Sequence, residues 1–296
     1  MPRKVIVVGA SGFIGKATLS ALVSRHGGNS SSSDGLEIYA GVRDTSKFGD
    51  MAGVTVINAD MGDKTMLAKT LKGFDAVYLV VPGHAERTQL AIDGIEAAKE
   101  AGIKFLLVLS VTTAGTDSVF GKQFEPIEAK TKESGIDYAI VQLPIFLDNN
   151  FAHIASVKEQ STFYDPRNPS KASSAVSVAD AGKAAADILA KPARHVGKTY
   201  KLVSPAFSVN DLAAAFTKVL GKEVKPTTVT YKDCKDALVG VGIPAWQADG
   251  ILELYRYIDE DSPVTNVKDA DDIERITGEK AITVEGWVRQ NASMFQ

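Results

Sequence analysis

Along its first half the chain repeats one pattern of apolar and polar positions. A short block of β-branched and other apolar residues stops at glycine, proline or a polar residue. A stretch with apolar residues three and four apart then follows. The blocks are Lys4–Val8, Leu36–Val42, Val54–Ala59, Ala76–Val81, Phe105–Leu109 and Tyr138–Leu143. They lack strict alternation, as strands covered on both faces do. Helical spacing predicts helices over Lys16–Ser24, Lys64–Lys72, Ala85–Ala101 and Glu125–Ser134, the last stopped by Gly135. In the third, Leu90, Ile92, Ile95 and Ala98 supply the apolar positions. Strand and helix in turn, with short connections, predict an α/β chain built on a doubly wound parallel sheet with right-handed crossovers.

Past Pro144 the alternation fades. Asn149 to Phe163 and the polar run Asp165–Ser173 read as loops and short elements. Ser177 to Asp180 is an N-cap pattern for a helix reaching Ala190, and Tyr200–Val203 offers a seventh strand. Ser208–Asp211 repeats the capping pattern before a helix over Leu212–Leu220, stopped by Gly221. Glu223–Tyr231 alternates loosely, as a strand would. Ala245–Asp259 is an aromatic-rich helix with Trp246, Leu252, Tyr255 and Ile258, and Ala270–Thr277 and Val284–Phe295 read as closing helices. This pattern divides the chain into a domain over 1–150, to which 177–203 returns, and a smaller mixed α/β subdomain over 151–296. The subdomain would cover the sheet edge and shape a pocket. Arg25–Gly35, RHGGNSSSSDG, reads as a solvated polar insertion.

Composition narrows the field. A chain of 296 residues that is 45% hydrophobic can bury a large core. A formal net charge of -3 and a pI of 5.9 give no general attraction to nucleic acid or to an anionic membrane. The single cysteine, Cys234, excludes an internal disulfide, suits a reducing compartment and reads as an ordinary buried or half-buried residue. No apolar run approaches the roughly 18 residues that span a bilayer. The first apolar run is too short for a cleavable signal. The expectation is a soluble, cytoplasmic protein with no metal site.

The candidate chemistry sits where the first strand ends. KVIVVGASGFIG places Gly9, Gly12 and Gly15 between a strand and a helix. The first glycine permits the turn, the second lets backbone approach a pyrophosphate, and the third lets the helix pack closely. The amides at the helix start then face the anion. With Ser11, Phe13 and Ile14 this forms a dinucleotide loop of Rossmann type. The second strand ends at Arg43, with Asp44 next and Lys47 four residues on. An acid at this tip would bind a ribose 2′-hydroxyl, whereas Arg43 suits a 2′-phosphate, so the expected cofactor is NADP(H). Asp60 and Met61 would lie by the adenine. The strand ends Val81-Pro82-Gly83 and Ser110-Val111 would lie toward the nicotinamide, along the edge where open α/β sheets bind ligands.

Five segments in this order resemble the NmrA-like group of atypical short-chain dehydrogenases. They are GASGFIG, GVRD, KESGIDYAIVQLPIFLDNN, SVADAGKAAADIL and ITGEKAITVEGWVRQNASMF. The resemblance runs over nearly the whole chain and implies a Rossmann core holding NADP through the residues named above. Leu143, Pro144 and Phe146 would wall the nicotinamide and the substrate. It also implies a choice of roles, because the group contains NADPH-dependent quinone reductases, triphenylmethane reductase, and regulators that bind dinucleotide without catalysis.

Two departures bear on that choice. No tyrosine stands four residues before Lys130 or Lys132, so the Tyr-x-x-x-Lys pair of short-chain dehydrogenases is missing. Where quinone- and lignan-reducing relatives carry His or Lys, this chain has Phe124 and Glu125. Glu128 matches a glutamate common in the family and reads as structural. The first reading is therefore a reductase passing hydride from NADPH to a small apolar acceptor, most plainly a quinone, which can take its proton from water. Gln123, Ser110 or Thr112 could polarise the acceptor's carbonyl. Phe124, Phe146, Asn149 and Asn150, with Phe151 and His153, would shape the pocket, although His153 reads first as an ordinary core or surface histidine. The alternative is a non-catalytic NADP(H) sensor reporting to a protein partner. An epimerase or dehydratase is a third reading that the missing pair disfavours.

Overall fold

The computed structural model describes residues 2–27, 35–267 and 271–296. The expected polar insertion falls largely on 28–34, outside the described residues, as does the start of the expected helix at Ala270.

The apolar blocks at the centre of the sheet form strands because they lose water on both faces, whereas β3, at the edge, stays half-buried. In β1 (Arg3–Val8) the residues Val5, Ile6, Val7 and Val8 are fully buried. Next come α1 (Phe13–His26), β2 (Leu36–Val42), β3 (Val54–Asn58), α2 (Lys64–Thr70), β4 (Ala76–Leu79) and α3 (Arg87–Ala101). Then follow β5 (Phe105–Val111), α4 (Val119–Glu133), β6 (Asp137–Leu143), the short β7 (Ile145–Phe146), α5 (Ile154–Gln160), β8 (Thr162–Asp165) and β9 (Ala175–Val176). The chain closes with α6 (Val178–Ala190), β10 (Lys198–Lys201), α7 (Val209–Leu220), β11 (Lys225–Thr228), α8 (Tyr231–Gly240), α9 (Ala245–Asp259), α10 (Asp272–Thr277) and α11 (Val284–Gln290).

The main sheet has seven parallel strands in the order β10-β6-β5-β4-β1-β2-β3. The chain starts at β1, runs outward through β2 and β3, then crosses back to β4. Strand order thus reverses between β1 and β4, and that reversal opens a crevice at the carboxyl ends of the strands. The expected seventh strand forms as β10, paired with β6 from Lys198↔Ala139 onward. Helix α6 lies against α1 so closely that a Cβ on Gly182 would sit 2.6 Å from the Ala17 carbonyl carbon.

A second core lies apart from the sheet. Phe163 and Phe216 centre 5.9 Å apart, Phe216 and Phe295 4.8 Å apart, and Phe151 packs on Trp287 at 5.0 Å. Leu147, Val157, Leu212 and Val288 fill the space around them. The parallel pairing of β8 with β11, by way of Phe163↔Pro226, fixes one wall.

The structure corrects two sequence expectations and fills in a third. Helix α4 begins at Val119, not Glu125, because the Ser118 hydroxyl accepts the Gly121 N–H at 2.8 Å and caps it. Gly121 and Pro126 in its first two turns hid that start. The loops and short elements expected from Asn149 to Phe163 are a 3-10 turn, Leu147–His153, running into α5 and β8. The strand expected to reach Tyr231 stops at Thr228. There Thr230 and Asp233 close a reciprocal capping box that starts α8. At Ser177 the hydroxyl accepts the Asp180 N–H at 3.0 Å as expected, while the Asp180 carboxylate accepts the Ile282 N–H at 2.7 Å. Among the described residues no helix is long and apolar enough to cross a membrane.

Candidate functional site

The glycine corner is built by close approach. Gly9 leaves β1 with φ +84°, and a Cβ there would stand 2.4 Å from the Val80 carbonyl oxygen. The Gly9 and Ala10 amides both donate to the Gly41 carbonyl, at 3.1 and 3.2 Å. A Cβ on Gly15 would lie 2.6 Å from both Ala10 Cα and the Gly9 oxygen, so that glycine serves helix packing and does not face the cavity described below. Gly12 differs. It is the N-cap of α1, offers no side-chain cap, and has only the Gly9 oxygen near its Cβ position, at 3.7 Å. The first turn of α1 carries no acidic side chain, and Ser11, Gly12 and Phe13 are exposed. Open amides at an uncapped N-terminus with space in front of them suit an anion.

At the tip of β2, Arg43 is exposed and its backbone carbonyl accepts from Asn58 Nδ2 at 2.7 Å. Asp44 turns elsewhere. It accepts the Ser46 amide and hydroxyl at 3.0 and 2.6 Å and pairs with Lys47 at 3.2 Å, contacts that hold its carboxyl below the usual range. Neither Asp44 nor Lys47 faces the cavity, whereas Arg43, Asp60 and Met61 do. Asp60 accepts the Gly62 N–H at 2.9 Å.

The tips of β4, β5 and β6 continue the wall with Val81, Pro82, Gly83, Ser110, Val111, Thr112, Leu143, Pro144 and Phe146. Behind Ser110 stands a buried carboxylate. Glu128 Oε1 accepts from Ser110 Oγ at 2.6 Å and from Gln142 Nε2 at 2.7 Å, and Lys132 lies 3.4 Å from Oε2. The Ser110 proton is therefore committed to Glu128, which leaves its oxygen only as an acceptor toward the cavity.

These surfaces enclose one cavity of about 1370 Å³, running from Gly9 and Arg43 across the sheet edge to α8 and α9. Its far end includes Phe120, Phe124, Arg87, His153, Arg167, Cys234, Leu238, Gln247, Ile251 and Tyr255. Arg167 pairs with Asp165, Nη2 to Oδ2 at 2.6 Å, under the Tyr255 ring at 5.1 Å. Burial opposes its charge, but Asp165 more than offsets that and raises its pKa. Burial lowers His153 to about 4, with the facing charges of Asp165 and Arg167 acting in opposite directions, so its imidazole is neutral near pH 7. Burial also pushes the Cys234 thiol up.

Of the residues singled out from sequence, the structure brings to this cavity Gly9, Ser11, Gly12, Phe13, Ile14, Arg43, Asp60, Met61, Val81, Pro82, Gly83, Ser110, Val111, Leu143, Pro144, Phe124, Phe146, Asn149 and Asn150. Asn150 is half committed, because Nδ2 donates to the Leu147 carbonyl at 2.7 Å. Gln123 and Phe151 lie elsewhere. Gln123 reaches the Ala85 carbonyl at 3.4 Å, and Phe151 belongs to the second core. Sequence reasoning missed Arg87, Arg167, Gln247, Tyr255 and the α8 residues. For Arg87 a signal existed: Ala91, Gly94, Ile95 and Ala98 lie at helical spacing after it, and all are buried on one face of α3 with it.

Comparisons with known proteins follow this geometry. The family model for the NmrA-like family matches residues 1–288. The NAD(P)H azoreductase of Xenophilus azovorans is 28% identical over 98% of this chain and 99% of that protein. Quinone oxidoreductase 2 of Escherichia coli (strain K12) is 31% identical over 84% of this chain and 86% of its own length. The crystal structure of an Escherichia coli NADPH-dependent quinone oxidoreductase complexed with NADPH superposes with a TM-score of 0.82 at 26% identity, covering 99% of this chain and 100% of that one.

Proposed function

Because the chain belongs to the NmrA-like family, we propose that it is an NADPH-dependent reductase whose cavity takes a small, largely apolar acceptor, a quinone first of all. NADP(H) is the cofactor, and relatives of this chain are NAD(P)H-dependent oxidoreductases. The observation that carries the reading is the continuity of the cavity, from the uncapped N-terminus of α1 to an aromatic wall at Phe120 and Phe124.

The bound cofactor would supply the hydride; the chain supplies binding, orientation and dryness. The amides at Phe13 and Ile14 would take the pyrophosphate, since the Gly12 N–H already donates to the Gly9 carbonyl at 3.3 Å, and Arg43 would take the 2′-phosphate. Val81, Pro82, Leu143 and Pro144 would keep water from the reacting edge and hold the acceptor flat against it. The three residues expected to supply or replace the acid do not do so. Ser110 gives its proton to Glu128, Phe124 has none to give, and Glu125 is exposed and off the cavity. The acceptor oxygen would therefore be protonated from water, which a quinone tolerates because its reduced form is a stable anion. The single cysteine fits work in a reducing, cytoplasmic setting.

Phe124, standing where the resemblance implies His or Lys, favours one second reading, a non-catalytic NADP(H) sensor with a protein partner. An anaerobic titration separates the two. The reductase yields one hydroquinone per NADPH consumed, whereas the sensor binds NADPH and leaves both compounds unchanged.

A further inference from the structure

Of the three arginines that line the cavity, Arg43 is exposed, whereas Arg87 and Arg167 each leave only 7% of their surface exposed. Arg167 has its counter-charge in Asp165. Arg87 has none among the described residues. Its guanidinium carbon lies 5.4 Å from the ring centre of Phe120, 5.2 Å from Phe124 and 5.4 Å from Trp246. Its Nε donates to the His84 carbonyl at 3.3 Å. Burial pulls its pKa from 12.5 to about 10, so it stays charged at neutral pH. Three ring faces offset part of the desolvation of that charge, but they give its terminal N–H groups no acceptor. Gly83, Arg87 and Gln247 all line the cavity; Arg87 Nη2 lies 4.0 Å from where a Cβ on Gly83 would stand, and the Gln247 amide nitrogen and oxygen lie 3.8 and 3.9 Å from the same point. A guanidinium fork and an amide thus both flank Gly83 on the cavity wall.

We propose that Arg87, with Gln247 beside it, is an anion-recognition subsite of the acceptor pocket, selecting a flat conjugated molecule that carries a carboxylate or sulfonate oxygen. The planar fork of Arg87 takes such a group by two parallel hydrogen bonds. Phe120 and Phe124 hold the fork in place, and Ile251 and Leu254 offer the ligand's rings apolar wall. This deepens the reductase reading by naming the acceptor's class and rests on that reading for the claim that the ligand is an acceptor.

The test is calorimetric and needs no turnover. Naphthalene-2-carboxylate and its neutral isostere naphthalene-2-carboxamide are titrated into the protein, with and without saturating NADP+. The carboxylate should bind about 10- to 100-fold more tightly than the amide, the range expected for hydrogen bonds to a charged partner. In Arg87→Met that preference should collapse toward parity with NADP+ affinity unchanged, and Arg87→Lys should keep part of it. Equal binding of acid and amide by the wild-type protein, or binding of neither, overturns the proposal even if Arg87→Met does not fold. Loss of NADP+ affinity in Arg87→Met, with the carboxylate preference intact, would assign the guanidinium to the cofactor and also overturn it. If no acceptor is ever reduced, the reductase reading fails while the carboxylate preference remains measurable.

Discussion

Gly12→Val separates the cofactor role of the glycine corner from its role in folding. Gly12 has φ -76° and ψ 169°, an extended conformation open to any residue, and its Cβ position meets nothing closer than the Gly9 oxygen at 3.7 Å. The fold should accept the side chain. The expected loss is that of a poorer N-cap, about 1 kcal/mol, or roughly 2–4 °C in Tm for a chain of this size. Binding is another matter. The valine methyls would stand in front of the α1 amides that are to receive the pyrophosphate. Loss of one or two charge-assisted hydrogen bonds at about 1.5–3 kcal/mol each predicts NADPH binding weaker by about 10- to 20,000-fold. Gly15→Ala is the control with the opposite signature. Its methyl would press on backbone at 2.6 Å, so stability should fall by about 1–3 kcal/mol whether or not cofactor is present. Calorimetry with NADPH and thermal melts of both variants decide the matter. A Gly12→Val protein that folds and binds NADPH as the wild type does would refute the assignment of this loop.

Three further outcomes follow from named contacts. Arg43→Ala should weaken NADPH by about tenfold or more and leave NADH nearly untouched, as loss of a phosphate-paired guanidinium requires; equal weakening of both, measured by calorimetry, would contradict the 2′-phosphate assignment. Glu128→Leu strips the acceptor from Ser110 and Gln142 and should cost about 2–4 kcal/mol in urea unfolding, and an unchanged midpoint would count against Glu128 as the organiser of that wall. His153 has its folded pKa lowered to about 4 from 6.5, so the unfolded chain binds the proton more readily. Its contribution is complete above pH 6.5 and lost as pH falls toward 4, up to about 3 kcal/mol, and His153→Gln should flatten that acid limb of the stability curve.

The sheet was legible because parallel central strands are apolar whichever side chain is counted, so Lys4–Val8 or Phe105–Leu109 reads as a strand without knowledge of its neighbours. The glycine corner was legible for a similar reason, since its three positions answer to local geometry. What escaped was direction. Gln123 and Phe124 are adjacent, yet one step along a helix rotates the side chain by about 100°, which sends Phe124 into the cavity and Gln123 toward Ala85. Ser110 was read as a free donor because nothing in the sequence places Glu128 against it. Arg87 shares the apolar stripe of α3 with Ala91, Ile95 and Ala98, but nothing in the sequence shows that α4 and α9 bring Phe124 and Trp246 against its guanidinium. Helix α8 was missed although Tyr231, Cys234, Ala237 and Leu238 fall at helical spacing, because the segment before it, Glu223–Tyr231, was read as a strand reaching into its first turn.

The most direct test of the central claim is NADPH consumption by the purified protein with a panel of quinones, NADH run in parallel. The account predicts turnover with NADPH well above NADH. Tight NADPH binding with no turnover on any quinone would contradict it and leave the sensor reading in its place.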